Sequence, residues 1–200
     1  RIRSLSDRCL RMGLLFSAAV AGLCYAVADP LAQLLFSSAE AGLYLRLFAP
    51  LVVVLYMDAM VDGMHKGMGE QVYCVRVNTL TNLLDVALLW LLLPRWGIAG
   101  YFFTFTLTHF LNFYLSLSRL LTATGYTPPL GYVCQVLLSA AAAAWTARQL
   151  CRLWAAPLTA CLLGLALYGA LLWALTALTA ALSRADLQWL SGALGVGKSH

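Results

Sequence analysis

Charged residues are scarce in this 200-residue sequence: Asp, Glu, Lys and Arg together make up 10% of the positions, whereas hydrophobic residues make up 62%. A soluble domain carries about 25% charged residues, so the scarcity excludes an ordinary water-soluble fold. The 13 Lys and Arg residues are spread along the chain. They are not clustered on one soluble face, which excludes a nucleic-acid-binding domain.

Patterns of metal binding and disulfide pairing are also missing. The six cysteines form no C-x-x-C pair and mostly fall inside apolar segments, which is typical of buried structural thiols. None of the three histidines has a ligand partner at i+3 or i+4. We therefore expect no metal site and no cofactor.

Long apolar segments dominate the sequence instead. Each is close to the 20 or so residues that a helix needs to cross about 30 Å of hydrocarbon. The segments are continuous in Leu, Ala and Val, without the alternation of a membrane β-barrel. We predict an all-α, polytopic transmembrane bundle within residues 1–182. Its six spanning helices are expected at 10–28, 44–61, 72–93, 98–121, 131–147 and 157–182.

The distribution of basic residues predicts the orientation of these spans. With the N-terminus inside, nine Lys and Arg residues fall on the cytoplasmic side and four outside. We expect a multi-pass protein of the cytoplasmic membrane with both termini in the cytoplasm. No signal-peptide cleavage site follows the first segment. Position 1 is Arg rather than Met, and we expect the chain to be the latter portion of a longer protein.

The final residues, GALGVGKSH from Gly192 to His200, match the G-x-x-x-x-G-K-S pattern of a phosphate-binding loop. Such a loop needs a strand before it and a helix that begins at its Lys-Ser. Here a short amphipathic helix is expected before the motif, and only His200 follows Ser199. We therefore predict no nucleotide site. Residues 183–200 are expected to form a cytoplasmic amphipathic helix and a flexible tail.

One predicted span carries an acidic polar stripe. Asn78, Thr81, Asn82 and Asp85 are spaced i, i+3, i+4 and i+7, so they share one face of a helix. Asp85 is expected near the middle of the membrane, where an ionisable side chain costs at least about 2.5–3.5 kcal/mol. No Lys or Arg lies on its stripe. We predict that Asn78, Asn82 and Asp85 line a water-accessible cavity and couple to protons or cations.

The next span carries a second stripe, in which Thr104, Thr108, Asn112 and Ser116 repeat every four residues. Hydrogen bonds along such stripes hold membrane helices together, and this is the simpler interpretation. His109 lies beside the stripe. Because the connection 94–97 is short, these spans are expected to be antiparallel neighbours. His109 and Asp85 are then at similar depth and can approach each other, so His109 is a fourth candidate coupling residue.

Glycines mark the connection between the second and third spans. Gly63, Gly67 and Gly69 are candidate hinge residues, although glycine-rich turns also join helices in static bundles. Asp58 is expected about one turn inside the membrane. The other charged residues are expected in the loop itself: Asp62, Lys66 and Glu70.

Two segments resemble a known superfamily. "LFAPLVVVLYMDAMVDGMHKGMGEQ", Leu47–Gln71, is similar to a helix and Gly-rich turn of the multidrug/oligosaccharidyl-lipid/polysaccharide flippases. "NTLTNLLDVALLWLLLPRWGIAGY", Asn78–Tyr101, is similar to the next helix and its P-x-x-G-I-x-G-Y exit. The likeness is greatest to the stage V sporulation protein B and polysaccharide-exporter branch. The turn departs from the family at His65 and Lys66.

The resemblance implies a fourteen-helix protein, of which this chain supplies helices nine to fourteen. It implies alternating-access transport of lipid-linked oligosaccharides, or of peptidoglycan or polysaccharide precursors. The driving force would be an ion or the membrane potential, without ATP and without enzymatic activity. The implied partners are membrane lipids, a lipid-linked saccharide, and a proton or sodium ion.

Three alternatives remain open. One is a multidrug-type cation antiporter of the same superfamily. Another is a membrane-embedded transferase in which His109 and Asp85 act together as a general base. No cluster of acidic or histidine residues and no nucleophile pattern accompanies them. The last is a structural subunit without a polar cavity, which solvent access at position 82 would distinguish from a flippase.

Overall fold

The structure is a computed structural model that describes residues 2–153 and 156–178. Within these ranges the secondary-structure elements are all α-helices and there is no strand, so the predicted helical class is confirmed. The helices are α1 (Ile2–Phe36), α2 (Ala39–Gly67), α3 (Gln71–Trp96), α4 (Ile98–Thr124), α5 (Leu130–Cys151) and α6 (Pro157–Leu178). The predicted tail, 183–200, and the end of the sixth predicted span lie outside the described residues.

Five helices are long and apolar enough to cross a membrane: α1, α2, α3, α5 and α6. Helix α4 is comparable in length, with 27 residues, but it carries the Thr, Asn and Ser stripe and is not among these five. Its crossing stays a prediction. Large apolar side chains are exposed throughout the described chain, including Trp90 at 81% and Leu153 at 79%. Hydrocarbon, rather than water, is the solvent that suits such a surface.

The chain divides into two compact units. The first consists of Arg1–Ser17 and Pro50–Pro128, and the second of Ala18–Ala49 and Pro129–His200. In the first unit, α3 and α4 form an antiparallel hairpin, as the short connection predicted. The N–H of Gly97 closes α3 by donating to the carbonyl of Leu93 at 2.9 Å.

In the second unit, α5 and α6 pack closely because their contact is built from small side chains. Ala143, Ala144 and Ala147 of α5 are buried in one cluster with Tyr168 of α6. At Gly164 of α6, an added Cβ would lie only 2.8 Å from the sulfur of Cys151. Small residues at the contact let helix backbones approach each other in a membrane.

Helices α1 to α5 all extend past the predicted ends of their spans, and α1 and α2 extend the furthest. Helix α1 continues through Asp29 and Pro30 to Phe36, and α2 continues six residues beyond the predicted end at 61, to Gly67. The placement of Asp62 in a loop was therefore wrong, because this residue lies on α2. The sequence-based prediction ended these spans where polar residues begin. In the structure they stay helical because other helices supply their hydrogen-bond partners.

Candidate functional site

Two carboxylates occupy one face of α2 in the first unit. Asp58 and Asp62 are one helical turn apart, and Asp58 lies nine residues before the helix end at Gly67. At about 1.5 Å per residue this is about 13 Å from the helix end, and the depth of Asp58 in a membrane stays a prediction. The amide nitrogen of Asn112 donates to Oδ2 of Asp58 at 2.8 Å. That of Asn78 donates to Oδ2 of Asp62 at 2.9 Å.

The second oxygen of each carboxylate is left without a partner. Oδ1 of Asp58 and Oδ1 of Asp62 are both buried and accept no hydrogen bond from the described residues. Neither carboxylate pairs with a described Lys or Arg. A buried acceptor without a partner costs about 1–3 kcal/mol, and repulsion between neighbouring carboxylates adds to that cost. Binding a proton or a cation would relieve both.

Asp85, on α3, is a third carboxylate held by a neutral donor. The hydroxyl of Thr108 on α4 lies 2.9 Å from its Oδ1. The same hydroxyl lies 3.0 Å from the carbonyl of Thr104. Because a hydroxyl has one proton, it donates to only one of these acceptors at a time. The hydrogen bond to Asp85 can therefore be made or released by rotation of the Thr108 hydroxyl alone.

The structure places His109 differently from the sequence-based expectation. Its ring packs edge-on against the ring of Phe105, with centroids 4.2 Å apart. Among the described residues, no hydrogen bond joins His109 to Asp85. Asp85 accepts a hydrogen bond from Thr108, the residue before His109. The coupling role proposed for His109 stays a prediction.

Asn112 connects α4 to both neighbouring helices. While its nitrogen donates to Asp58, its oxygen lies 3.1 Å from the hydroxyl of Thr81 on α3. The whole α4 stripe is buried, and two of its hydroxyl oxygens, in Thr104 and Ser116, have no partner among the described side chains. The stripe therefore does more than fasten helices together, because its members also contact carboxylates.

Of the four predicted coupling residues, Asn78 and Asp85 take part in this network. Asn82 is exposed, because α3 buries Cys74, Val77 and Thr81 and turns position 82 away from that face. The predicted position of Asn82 at a water-accessible cavity stays a prediction. The described residues contain no group of three His, Cys, Asp or Glu side chains that could hold a metal ion.

A second polar cluster closes the turn between α2 and α3. The ring of His65 is fully buried, and its Nε2 lies 2.9 Å from the carbonyl oxygen of Ser116, whereas its Nδ1 lies 3.1 Å from the carboxylate of Glu70. Both partners are acceptors, so both ring nitrogens can donate only when the ring is protonated. This link between α2 and α4 was not expected from the sequence.

Arg119 of α4 completes the turn cluster. Its Nη2 donates to Glu70 at 2.7 Å and its Nε at 3.2 Å, while its guanidinium lies over the ring of Tyr73. The hydrogen bonds and charge of Arg119 lower the pKa of Glu70 below its usual range. Glu70 is therefore a carboxylate with a cation partner, unlike Asp58, Asp62 and Asp85.

The candidate hinge glycines belong to two kinds of position. Gly63 and Gly67 lie within α2, whereas Gly69 lies in the turn with φ of 81°. An added Cβ at any of the three would meet no atom within 4 Å. Only Gly69 has a backbone conformation that requires glycine, and hinge motion at these positions stays a prediction.

Asp58, Asp62 and His65 were missed as site residues. One signal was available for Asp58: it shares a helix face with Asp62 if α2 continues past residue 61. No local pattern identifies a partner about fifty residues away on α4. Comparison with known proteins gives no further guidance, because no family model, no curated protein and no solved structure matches the chain.

Proposed function

We propose that this chain is part of a membrane transporter that moves lipid-linked saccharides across the cytoplasmic membrane and is driven by protons or cations. One observation supports the driving mechanism most directly. Asp58, Asp62 and Asp85 lie on helices long and apolar enough to span a membrane, and each is held by a neutral amide or hydroxyl instead of a cation. An uncompensated carboxylate in such a place indicates an ion pathway more often than a structural contact.

The chemistry available to these groups is reversible loading. A proton added to Asp58 or Asp62 would neutralise the charge and supply a donor, and a bound cation would occupy the buried oxygens directly. Unloading requires water at the site. If the carboxylates of Asp58, Asp62 and Asp85 are exposed to water first on one side of the membrane and then on the other, the ion is carried between the two sides.

The choice of a lipid-linked saccharide rests on the resemblance of Leu47–Gln71 and Asn78–Tyr101 to the flippase superfamily. Such a substrate has a polar head group that cannot enter hydrocarbon and a tail that can stay in it. It needs a polar surface reached sideways from lipid. The carboxylate, amide and hydroxyl groups of α2, α3 and α4 are the described side chains that could provide one.

The test is a translocation assay with the protein in vesicles and a fluorescent lipid-linked sugar. Under an imposed pH or sodium gradient, Asp58→Asn and Asp85→Asn are each expected to reduce gradient-driven transport at least tenfold. Glu40→Gln, at an exposed acidic residue at the start of α2, is the matched control and should transport normally. Gradient-dependent transport that survives in both Asp variants would refute ion coupling at this network.

A multidrug-type cation antiporter is the second candidate. The carboxylates of Asp62 and Asp85, which have neutral donors and no cation partner among the described residues, favour it, because a cationic substrate could itself replace the missing positive partner. Efflux of a cationic dye from the same vesicles separates the two functions. Dye efflux without movement of the lipid-linked sugar would assign the antiporter and reject the flippase.

A further inference from the structure

A basic pocket of about 370 Å³ opens in the second unit, near the α1–α2 and α5–α6 connections. Three arginines and one acidic residue provide its charged lining: Asp29, Arg46, Arg148 and Arg152. Proline and alanine supply much of the remaining wall. None of these residues contacts Asp58, Asp62 or Asp85, so the pocket is separate from the ion coupling proposed above.

The pocket carries an excess of positive charge that is already held in position. Arg46 donates to one oxygen of Asp29, while Arg148 donates to the other through Nε at 3.2 Å and Nη2 at 3.0 Å. One carboxylate thus orients two guanidinium groups. No described acidic residue pairs with Arg152, whose Nη1 is 3.4 Å from the neutral side chain of Gln149. Two positive charges remain uncompensated among the lining residues.

These arginines keep hydrogen-bonding capacity for a ligand. A guanidinium has five N–H donors, of which Asp29 occupies only part in Arg46 and Arg148. The Arg148 side chain is 12% exposed and also lies over the ring of Tyr25, so little conformational freedom is left to lose on binding. Pre-oriented guanidinium groups match the paired oxygens of a phosphate.

Helix ends add to the preference for an anion. The N-terminal residues of α2 and α6, Ala39 and Pro157, border the pocket, and a helix N-terminus favours negative charge. The C-terminal end of α5, at Cys151, has the opposite effect. The three arginines therefore decide the sign of the local potential.

Exposed apolar side chains surround the connections that border the pocket. Large apolar side chains are exposed on the adjoining helix ends and connection, and they include Leu35, Phe36, Leu153 and Leu158. An anion with attached acyl chains could put its charge in the pocket and its chains along these residues. A soluble phosphate would use only the first of these features.

We propose that this pocket binds the phosphate of an anionic lipid head group. The proposal does not depend on the transported substrate. Arg152 and Arg46 contact the phosphate directly, and Asp29 acts as a positioning residue for Arg46 and Arg148. Acyl chains lie against the neighbouring apolar surface.

The test measures binding of dihexanoyl phosphatidic acid to the detergent-solubilised protein, with dihexanoyl phosphatidylcholine and inorganic phosphate as comparison ligands. Arg152→Gln and Arg46→Gln should each weaken binding of the phosphatidic acid about fivefold to tenfold, since one charge-assisted contact to phosphate is lost. Arg95→Gln removes an exposed arginine at the end of α3 and should leave the affinity unchanged. Thermal unfolding checks that each variant is folded, and among the described residues Arg152 has no ion pair whose loss would disturb the fold.

Three results would overturn the proposal. Phosphatidylcholine has the same acyl chains and a phosphate, but its choline group cancels the charge, so its binding as tightly as phosphatidic acid would show that the pocket does not select an anionic head group. Inorganic phosphate binding as tightly as phosphatidic acid would assign the pocket to free phosphate. Unchanged affinity in both Arg152→Gln and Arg46→Gln would show that the lipid binds elsewhere.

Discussion

Asn112 on α4 donates a hydrogen bond of 2.8 Å to Asp58 on α2, two residues separated by 54 positions in the chain. The bond gives Asp58 its one described donor. It also fixes the rotation of α4, because the other end of the same amide faces Thr81 on α3. A single side chain thus holds three helices in register around an acidic group.

Removing that amide should destabilise the first unit. Asn112→Ala leaves Oδ2 of Asp58 without a donor beside an Oδ1 that already has none. We expect a loss of about 1–3 kcal/mol in the free energy of unfolding in detergent. Asn82→Ala removes an exposed asparagine from α3 and should change stability by less than about 0.5 kcal/mol.

A second substitution separates the hydrogen bond from the burial of charge. In an Asp58→Asn background, Asn112→Ala should cost less than it does alone, because no carboxylate remains to be satisfied. Equal costs of Asn112→Ala in both backgrounds would contradict the proposed interaction with Asp58.

The sequence predicted the helices better than the network because the two depend on different information. Continuous apolar runs and the short connection at 94–97 are local, and they gave the helical class and the α3–α4 hairpin. The partner of Asp85 depends on the rotation of α4, where one residue amounts to about 100°. The depth argument reached the correct turn of α4 but selected His109, whereas rotation of the helix presents Thr108.

The missed acidic face of α2 has a different cause. Polar residues near a span end predict a loop, and this prediction places Asp62 and His65 in the connection. Each has a partner on another helix: Asn78 on α3 for Asp62, and Ser116 on α4 for His65. These contacts join residues far apart in sequence, and periodicity within one helix carries no information about them.

The turn between α2 and α3 should depend on Gly69 and not on Gly63. Gly69 has φ of 81°, where an L-residue is strained by about 1–2 kcal/mol, so Gly69→Ala should lower stability by that amount. Gly63 lies inside α2 with open space around it, and Gly63→Ala should raise stability by about 0.5–1 kcal/mol.

The same pair of variants tests the hinge hypothesis. A Gly63→Ala protein that is more stable yet transports more slowly would support flexing of α2 at this residue. Transport at the wild-type rate would restrict any hinge to the turn itself.

Stability near the turn between α2 and α3 should fall in acid through Glu70. Arg119 lowers the pKa of Glu70 in the folded protein, so the ion pair stabilises the fold above the ordinary carboxyl pKa of about 4.3. That contribution is lost as the pH falls through the lowered folded pKa. Between about pH 6 and about pH 3, the range in which carboxyl groups titrate, the unfolding temperature of wild type should therefore fall by more than that of Glu70→Gln.

Two control variants identify the partner in that experiment. Arg119→Gln should reduce the acid sensitivity as Glu70→Gln does, whereas Arg95→Gln should leave it unchanged. His65, which also faces Glu70, stays in place in all of these proteins. Parallel acid unfolding of wild type and Glu70→Gln would show that other carboxylates dominate.

Position 82 provides the most direct test of whether α3 borders water. Asn82 and Leu83 are neighbouring exposed residues of α3, and in a membrane an exposed side chain faces either lipid or an aqueous cavity. In a Cys134→Ser background, which removes the exposed native thiol, each position is changed to Cys and treated with a membrane-impermeant maleimide in intact vesicles. The proposed cavity predicts that the thiol introduced by Asn82→Cys is labelled at least tenfold faster than that of Leu83→Cys, because maleimide reacts with a hydrated thiolate. Equally slow labelling at both positions would mean that Asn82 faces lipid, and would favour a structural subunit over a transporter.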